Sequence, residues 1–229
     1  MSVVQEAVKA ALEQPLKLDI GCGKNKKPGF YGVDIIDFEG VDIACDLRGK
    51  TWGFSAFPEE LKPRIEQYIW PADPVTGPAR ARFMDNSVDE VHCAHFIEHL
   101  TNLGDKWERV LFFNELFRIL KPGATAHLVF PHWCSNRFYG DPTHKEPFSE
   151  MGFYYLGREW RMANAPHTDI EYNPNGYSCD FAPGSATWGY TLHPHLTQGR
   201  HQDYVQHALQ FWKEAAADII ATLTKPVPK

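Results

Sequence analysis

The chain has 229 residues, 43% of them apolar and 23% charged, which fits a globular protein and excludes disorder and a coiled coil. The length suits one domain, or one domain carrying an insertion. Its 23 basic and 29 acidic side chains give a net charge of −6, which argues against tight nonspecific binding to nucleic acid.

No stretch approaches the ~18 uninterrupted apolar residues of a membrane helix. The first fifteen residues are amphipathic, without the apolar block or cleavage site of a secretory signal. The five cysteines, Cys22, Cys45, Cys93, Cys134 and Cys179, are odd in number and contain no C-x-x-C pair. This argues against a disulfide framework and against a cysteine zinc site. The expectation is a soluble cytoplasmic protein, without a membrane partner.

Helical spacing of Val4, Ala7, Val8, Ala11 and Leu12, stopped by Pro15, predicts a helix over 3–14. Leu16–Ile20 reads as a strand running into Gly21-Cys22-Gly23, and Phe30–Ile36 and Val41–Cys45 as two further strands. Residues 48–82 show no clear strand and read as an insertion with one helix near 59–69. Val88–Ala94 is the next strand. A helix over 105–120 follows, with Trp107, Val110, Leu111, Asn114 and Phe117 on one face. After the turn Lys121-Pro122-Gly123 comes the strand Ala124–Phe130.

Residues 131–200 are rich in aromatics, Pro and Gly, and Tyr177–Ala182 with Ala186–Leu192 read as an antiparallel hairpin about Pro183-Gly184. A last helix is predicted over 203–223, from the spacing of Val205, Leu209, Trp212, Ala216, Ile219 and Leu223. Strands interleaved with helices predict a parallel α/β sheet with ligands at the carboxyl ends of its strands.

Those strand ends carry the chemistry. Glycines at Gly21 and Gly23 let a backbone approach a ligand closely. The dinucleotide fingerprint fails, because its third glycine position is Lys26. Asp19 is a poor neighbour for a pyrophosphate and suits a ligand with a positive amino group. Asp34, ending the second strand, is placed to accept from two ribose hydroxyls. Asp46, past the third strand, could accept from an adenine amino group. For each, the plainer roles of a tight turn, a helix cap or a surface carboxylate remain open.

With LDIGCG at 18–23, GVDI at 32–35, CDL at 45–47, DNSVDEVHCAHFIEH at 85–99 and LKPG at 120–123, the chain resembles the class I S-adenosylmethionine-dependent methyltransferases. The resemblance covers about residues 16–131. It implies a Rossmann-like, mostly parallel seven-stranded sheet flanked by helices, with an antiparallel C-terminal hairpin, to which the terminal helix would be an addition. It implies that Asp19, Gly21, Cys22 and Gly23 hold the methionine end of S-adenosylmethionine. Asp34 and Ile35 would serve the ribose, Asp46 and Leu47 the adenine, and His95 would line the cleft. Only eleven positions separate Gly23 from Asp34, too few for the helix usual between the first two strands, so Lys24–Pro28 must form a short turn.

The expected domain plan is a single unit over 1–229. It comprises a cofactor-binding core (16–131) with the insertion 48–82, a substrate-covering segment (131–200) and the terminal helix (203–223). That helix would pack on the sheet or on the partner subunit of a homodimer. His95-Phe96-Ile97-Glu98-His99 also matches H-x-x-E-H, the inverted zinc-peptidase pattern. A zinc hydrolase using His95, Glu98 and His99, and a non-catalytic cofactor-binding protein, are therefore the competing functions. The methyltransferase reading expects no metal ligands and a small polar acceptor. If that acceptor must lose a proton, Asp141-Pro142-Thr143-His144 offers a carboxylate beside an imidazole as the base, in preference to His132 or His167.

Overall fold

In the computed structural model, residues 14–69, 79–181, 184–197 and 199–228 are described. The predicted helix over 3–14 lies outside them except for its last residue. Seven strands form one sheet in the order β3-β2-β1-β6-β7-β9-β8. They are β1 (Lys17–Ile20), β2 (Tyr31–Asp34), β3 (Ile43–Ala44), β6 (Val88–Ala94), β7 (Leu120–Pro131), β8 (Ala186–Leu192) and β9 (Ala216–Thr224). The remaining pair, β4 (Ile65–Ile69) and β5 (Ala79–Phe83), forms a separate antiparallel hairpin.

β1 is the centre of the arrangement. It pairs in parallel with β2 on one side and β6 on the other. Leu18 and Ile20 on one face are fully buried and Asp19 on the other is 3% exposed, as expected for a parallel strand covered on both faces. The chain runs outward from β1 through β2 to β3, then returns to β6 on the opposite side. Strand order therefore reverses between β1 and β6, which opens a crevice at their carboxyl ends.

Two of the usual covering helices are absent. β1 reaches β2 through the turn at Gly21–Phe30, and β2 reaches β3 without a helix. The insertion helps to fill the core: Trp52, Phe54, Leu61 and Ile65 join the central cluster, as does Phe83 just past it. Here the reading of residues 48–82 is corrected. The predicted helix is a 3-10 turn over Glu59–Arg64, and the segment then turns into the β4–β5 hairpin.

The helix Glu108–Ile119 forms close to its predicted limits but buries a different face. Phe112, Phe113, Leu116 and Ile119 are fully buried, whereas Leu111, Asn114 and Phe117 are partly exposed. Asn114 is occupied with the covering segment. Its Oδ1 accepts from the amides of Ser178 (2.7 Å) and Cys179 (3.0 Å), and its Nδ2 donates to the Gly176 carbonyl (3.0 Å).

The carboxyl-terminal reading is also corrected. Residues 203–223 are not one helix: a helix over Gln202–Phe211 gives way to strand β9. The apolar residues of Ala216–Leu223 suit a helical period and a buried strand equally, and the sheet edge at β7 decides between them. β9 runs antiparallel to both β7 and β8. The antiparallel hairpin is thus β8–β9, while residues 177–181 form no strand. Among the described residues no helix is long and apolar enough to cross a membrane.

Gly21 combines a left-handed backbone with a tight contact. It has φ 68°, and a Cβ there would lie 2.6 Å from the Phe96 ring. Gly23 has φ 52° but faces open space. Gly21→Ala should therefore cost roughly 2–4 kcal/mol, the left-handed penalty plus overpacking. Gly23→Ala should cost only about 1–2 kcal/mol. Urea titrations of the two variants check this, and equal losses would contradict it.

Candidate active site

At the crevice the ends of β1, β2, β3 and β6 surround a cavity of about 390 Å³. That is within the ~300–1,000 Å³ range of small-molecule sites. Gly21, Asp34, Ile35, Asp46, Leu47 and His95 line it, so the structure brings these six expected residues together. Arg48 and Phe96, which were not expected, line it as well, and so does His99.

Asp19, Cys22 and Gly23 lie behind this wall. Asp19 is buried, and its carboxylate accepts from the Lys27 amide at 2.7 Å and faces His92 Nδ1 at 2.7 Å. It thereby fastens the turn after β1 to the sheet. Burial, with the carboxylates of Asp19 and Asp34 nearby, pushes the Cys22 thiol up to about 11, which keeps it protonated and unreactive near neutral pH. The Gly23 amide donates to Asp34 Oδ2 (2.9 Å), and the Ile36 amide to Asp34 Oδ1 (3.1 Å). Two amides thus orient the Asp34 carboxylate while each oxygen keeps a second lone pair.

Asp46 is gripped by Arg48 through Nε–Oδ1 and Nη2–Oδ2 contacts of 2.8 Å each. The pairing fixes the carboxylate at the cavity rim. Its trace in the sequence is only the D-x-R spacing. Phe96 left no such trace, since its role comes from packing across the crevice against Gly21.

The predicted acceptor-side residues fare differently. His132 is fully buried, with Nδ1 2.9 Å from Cys134 Sγ and Nε2 3.3 Å from Glu150, and it does not line the cleft cavity. It is removed as a candidate base. Asp141 and His144 do meet, at 3.7 Å between Oδ2 and Nε2. Asp141 Oδ1 also closes its own turn by accepting from the Thr143 amide (2.8 Å) and hydroxyl (2.6 Å), and these bonds hold its carboxyl below the usual carboxylate value. The partner that orients His144 is the Phe138 carbonyl, 2.8 Å from Nδ1.

The H-x-x-E-H stretch does not form the helix that a zinc peptidase needs. His95 sits at φ 54°, and only Ile97–His99 make a 3-10 turn. The Asp141–Pro147 loop docks on this turn. The Lys145 amide donates to the Glu98 carbonyl (2.8 Å), and the buried Arg109 clamps the carbonyls of Leu100 (3.1 Å), Glu146 (2.6 Å) and Pro147 (3.2 Å). Glu98, His99 and His144 are thereby gathered, with one ligand atom from each within 4.8 Å of the others. Around them lie His95, 3.4 Å from Glu98, and the Arg137–Asp218 pair at 2.6 Å, whose charges act on His95.

A crevice at the strand-order reversal, a glycine turn and paired carboxylates on successive strand ends define a nucleoside-binding α/β fold. The sequence matches the family model described as "Methyltransferase domain" over residues 18–128. That match covers 111 of the 229 residues, just under half of the chain. No curated protein matches the sequence.

Among solved structures, a SAM-dependent methyltransferase from Archaeoglobus fulgidus is similar at 16% identity and TM-score 0.49, over 97% of this chain and 91% of that one. A 1,6-didemethyltoxoflavin N1-methyltransferase from Burkholderia thailandensis is similar at 11% identity and TM-score 0.43, over 97% and 78%. A geranyl diphosphate C-methyltransferase from Streptomyces coelicolor A3(2) is similar at 13% and 0.40, over 97% and 77%.

The Glu98 carboxylate raises the pKa of the His95 imidazole, against the opposing effect of partial burial. A raised histidine pKa adds stability that is complete below the ordinary value near ~6.5 and is lost as pH rises through the shifted value. The melting temperature of native protein relative to His95→Gln should therefore be higher at roughly pH 5.5 than at pH 8.5. A constant difference across that window would refute the pairing.

Proposed function

We propose that this chain is a class I S-adenosylmethionine-dependent methyltransferase that methylates a small polar acceptor on the side of the cleft lined by His95 and His99, next to His144. The carrying observation is the change in character across the cleft. One side of the cavity is lined by Gly21, Phe96, Leu47, Asp34 and Asp46, whereas His95 and His99, which also line it, adjoin Glu98 and His144. Residues 131–200 act as the covering segment that shapes the His95 and His99 side.

The chain's own residues fit the cofactor. A Cβ at Gly21 would fill the space against Phe96 that the backbone leaves. In this reading Asp34 accepts from the ribose hydroxyls and the apolar side chain of Ile35 lies against the nucleoside. Asp46 and Leu47 take the adenine edge, and the Gly21–Gly23 turn, fastened by Asp19, accommodates the methionine end. When bound, S-adenosylmethionine supplies an electrophilic methyl group on a sulfonium. The protein's task is then alignment of the acceptor, which the docked 141–147 loop favours by fixing that side of the cleft. With Nδ1 of His144 committed to Phe138, its Nε2 is the atom that can hold a proton.

Asp34→Ala should weaken S-adenosylhomocysteine binding by about 1.5–3 kcal/mol, the scale for hydrogen bonds to a charged group. Calorimetry with native protein, Asp34→Ala and the exposed control Asp37→Asn checks it. Affinity unchanged in a folded Asp34→Ala variant would remove this residue from the ribose site.

A further inference from the structure

We propose that Glu98, His99 and His144 form a divalent-cation site of the zinc type at the acceptor side of the cleft. The inference rests on the methyltransferase reading only for its role there, since the ligand geometry stands by itself. Glu98 is 2% exposed, its carboxylate oxygens make no well-formed hydrogen bond among the described residues, and the one cationic group near it is the half-exposed His95, at 3.4 Å. A buried carboxylate left this way is costly unless a positive charge compensates it.

The groups that face it are acceptors in the arrangement the backbone imposes. His144 commits Nδ1 to the Phe138 carbonyl at 2.8 Å, which puts the ring proton there and a lone pair on Nε2. That Nε2 lies 3.9 Å from Glu98 Oε1 and 3.7 Å from Asp141 Oδ2. His99 likewise sets Nδ1 against the Thr143 carbonyl at 3.3 Å and the Thr143 hydroxyl at 3.2 Å, leaving its Nε2 as the donor atom. Backbone carbonyls on the far nitrogens are the usual outer-shell support of metal-bound histidines.

The spacing suits a small ion. Bonds of ~2.0–2.2 Å to tetrahedral zinc put ligand atoms roughly 3.4 Å apart. The three atoms here lie within 4.8 Å, so side-chain rotations suffice to close on the ion. Two imidazoles and one carboxylate leave a fourth position open, the pattern of catalytic rather than structural zinc. His99 also lines the cofactor cavity, so that open position lies on the acceptor side and suits an oxygen of a polar acceptor. This ligand set is not the H-x-x-E-H set, because His144 takes the place of His95.

The test uses untagged full-length protein, stripped with chelator and titrated calorimetrically with zinc chloride. One equivalent should bind, and Glu98→Gln and His144→Ala should each weaken it by more than the about 10–100-fold that an outer-shell loss costs. The exposed His207→Ala should bind zinc like the native protein. Cobalt(II) loading of the native protein gives a readout free of variant folding. It should show strong visible d–d bands and two paramagnetically shifted imidazoles. Absence of stoichiometric binding, affinity unchanged in both ligand variants, or cobalt spectra without shifted histidines would each overturn the site. S-adenosylhomocysteine affinity, measured on the same metal-free samples, separates the two readings. Retained cofactor binding without metal binding sinks the cation site alone. Zinc binding without cofactor binding sinks the methyltransferase assignment of the cleft.

Discussion

The buried carboxylate of Asp19 is the interaction on which the cleft depends. It sits on β1 directly beside His92 of β6, its partner in the strand register, and bonds it at 2.7 Å. Its other oxygen takes the Lys27 amide from the turn after Gly23. One side chain thus joins the two strands that border the order reversal and ties down the turn between β1 and β2. Nearly all of its surface is removed from water, so loss of either partner would leave a buried group uncompensated. The site is held from beneath by this residue rather than through direct contact with the cavity.

That support matters because two covering helices are missing. A helix after β1 would normally present its amide terminus to the crevice. Here the turn is short, and its amides are used internally: Gly23 on Asp34, Lys27 on Asp19. The sheet face left bare by short crossovers needs another apolar cover. The 48–82 insertion helps to supply it with Trp52, Phe54 and Leu61. Trp52 is held in turn by Leu47, through an indole donation of 3.0 Å to the carbonyl. The insertion is therefore continuous with the wall of the cleft at Leu47.

How much of this could be read from the sequence divides along a physical line. The strand ends were legible because each marks itself locally, with glycines at 21 and 23 and carboxylates at 34 and 46. The β1–β2 turn was legible from chain length alone. Elements whose local pattern suits two structures were not. Ala216–Leu223 satisfies helical and strand periods alike, and only pairing with β7 and β8 selects β9. Glu108–Ile119 carries apolar residues around most of its circumference, so the sequence does not say which face meets the sheet. His132 illustrates a third limit: histidine beside Pro131 resembles an accessible loop residue, yet β7 extends far enough to bury it.

The Glu98–His99–His144 cluster was least legible because its parts are remote along the chain. Glu98 and His99 follow β6, whereas His144 arrives from a loop beyond β7, and no local pattern links them. The link is Arg109, on the helix between those strands, whose guanidinium holds carbonyls of both segments. Burying that charge against backbone oxygens fixes one loop on the other with little freedom to shift. The rigidity explains how three groups that carry lone pairs can be kept together despite their mutual repulsion. Folding energy from Arg109 and the surrounding aromatic packing holds the cluster in place, and a positively charged occupant would relieve the repulsion. The carboxylates of the cleft are thus written into strand ends, whereas the Glu98–His99–His144 cluster is written into loop-to-loop docking.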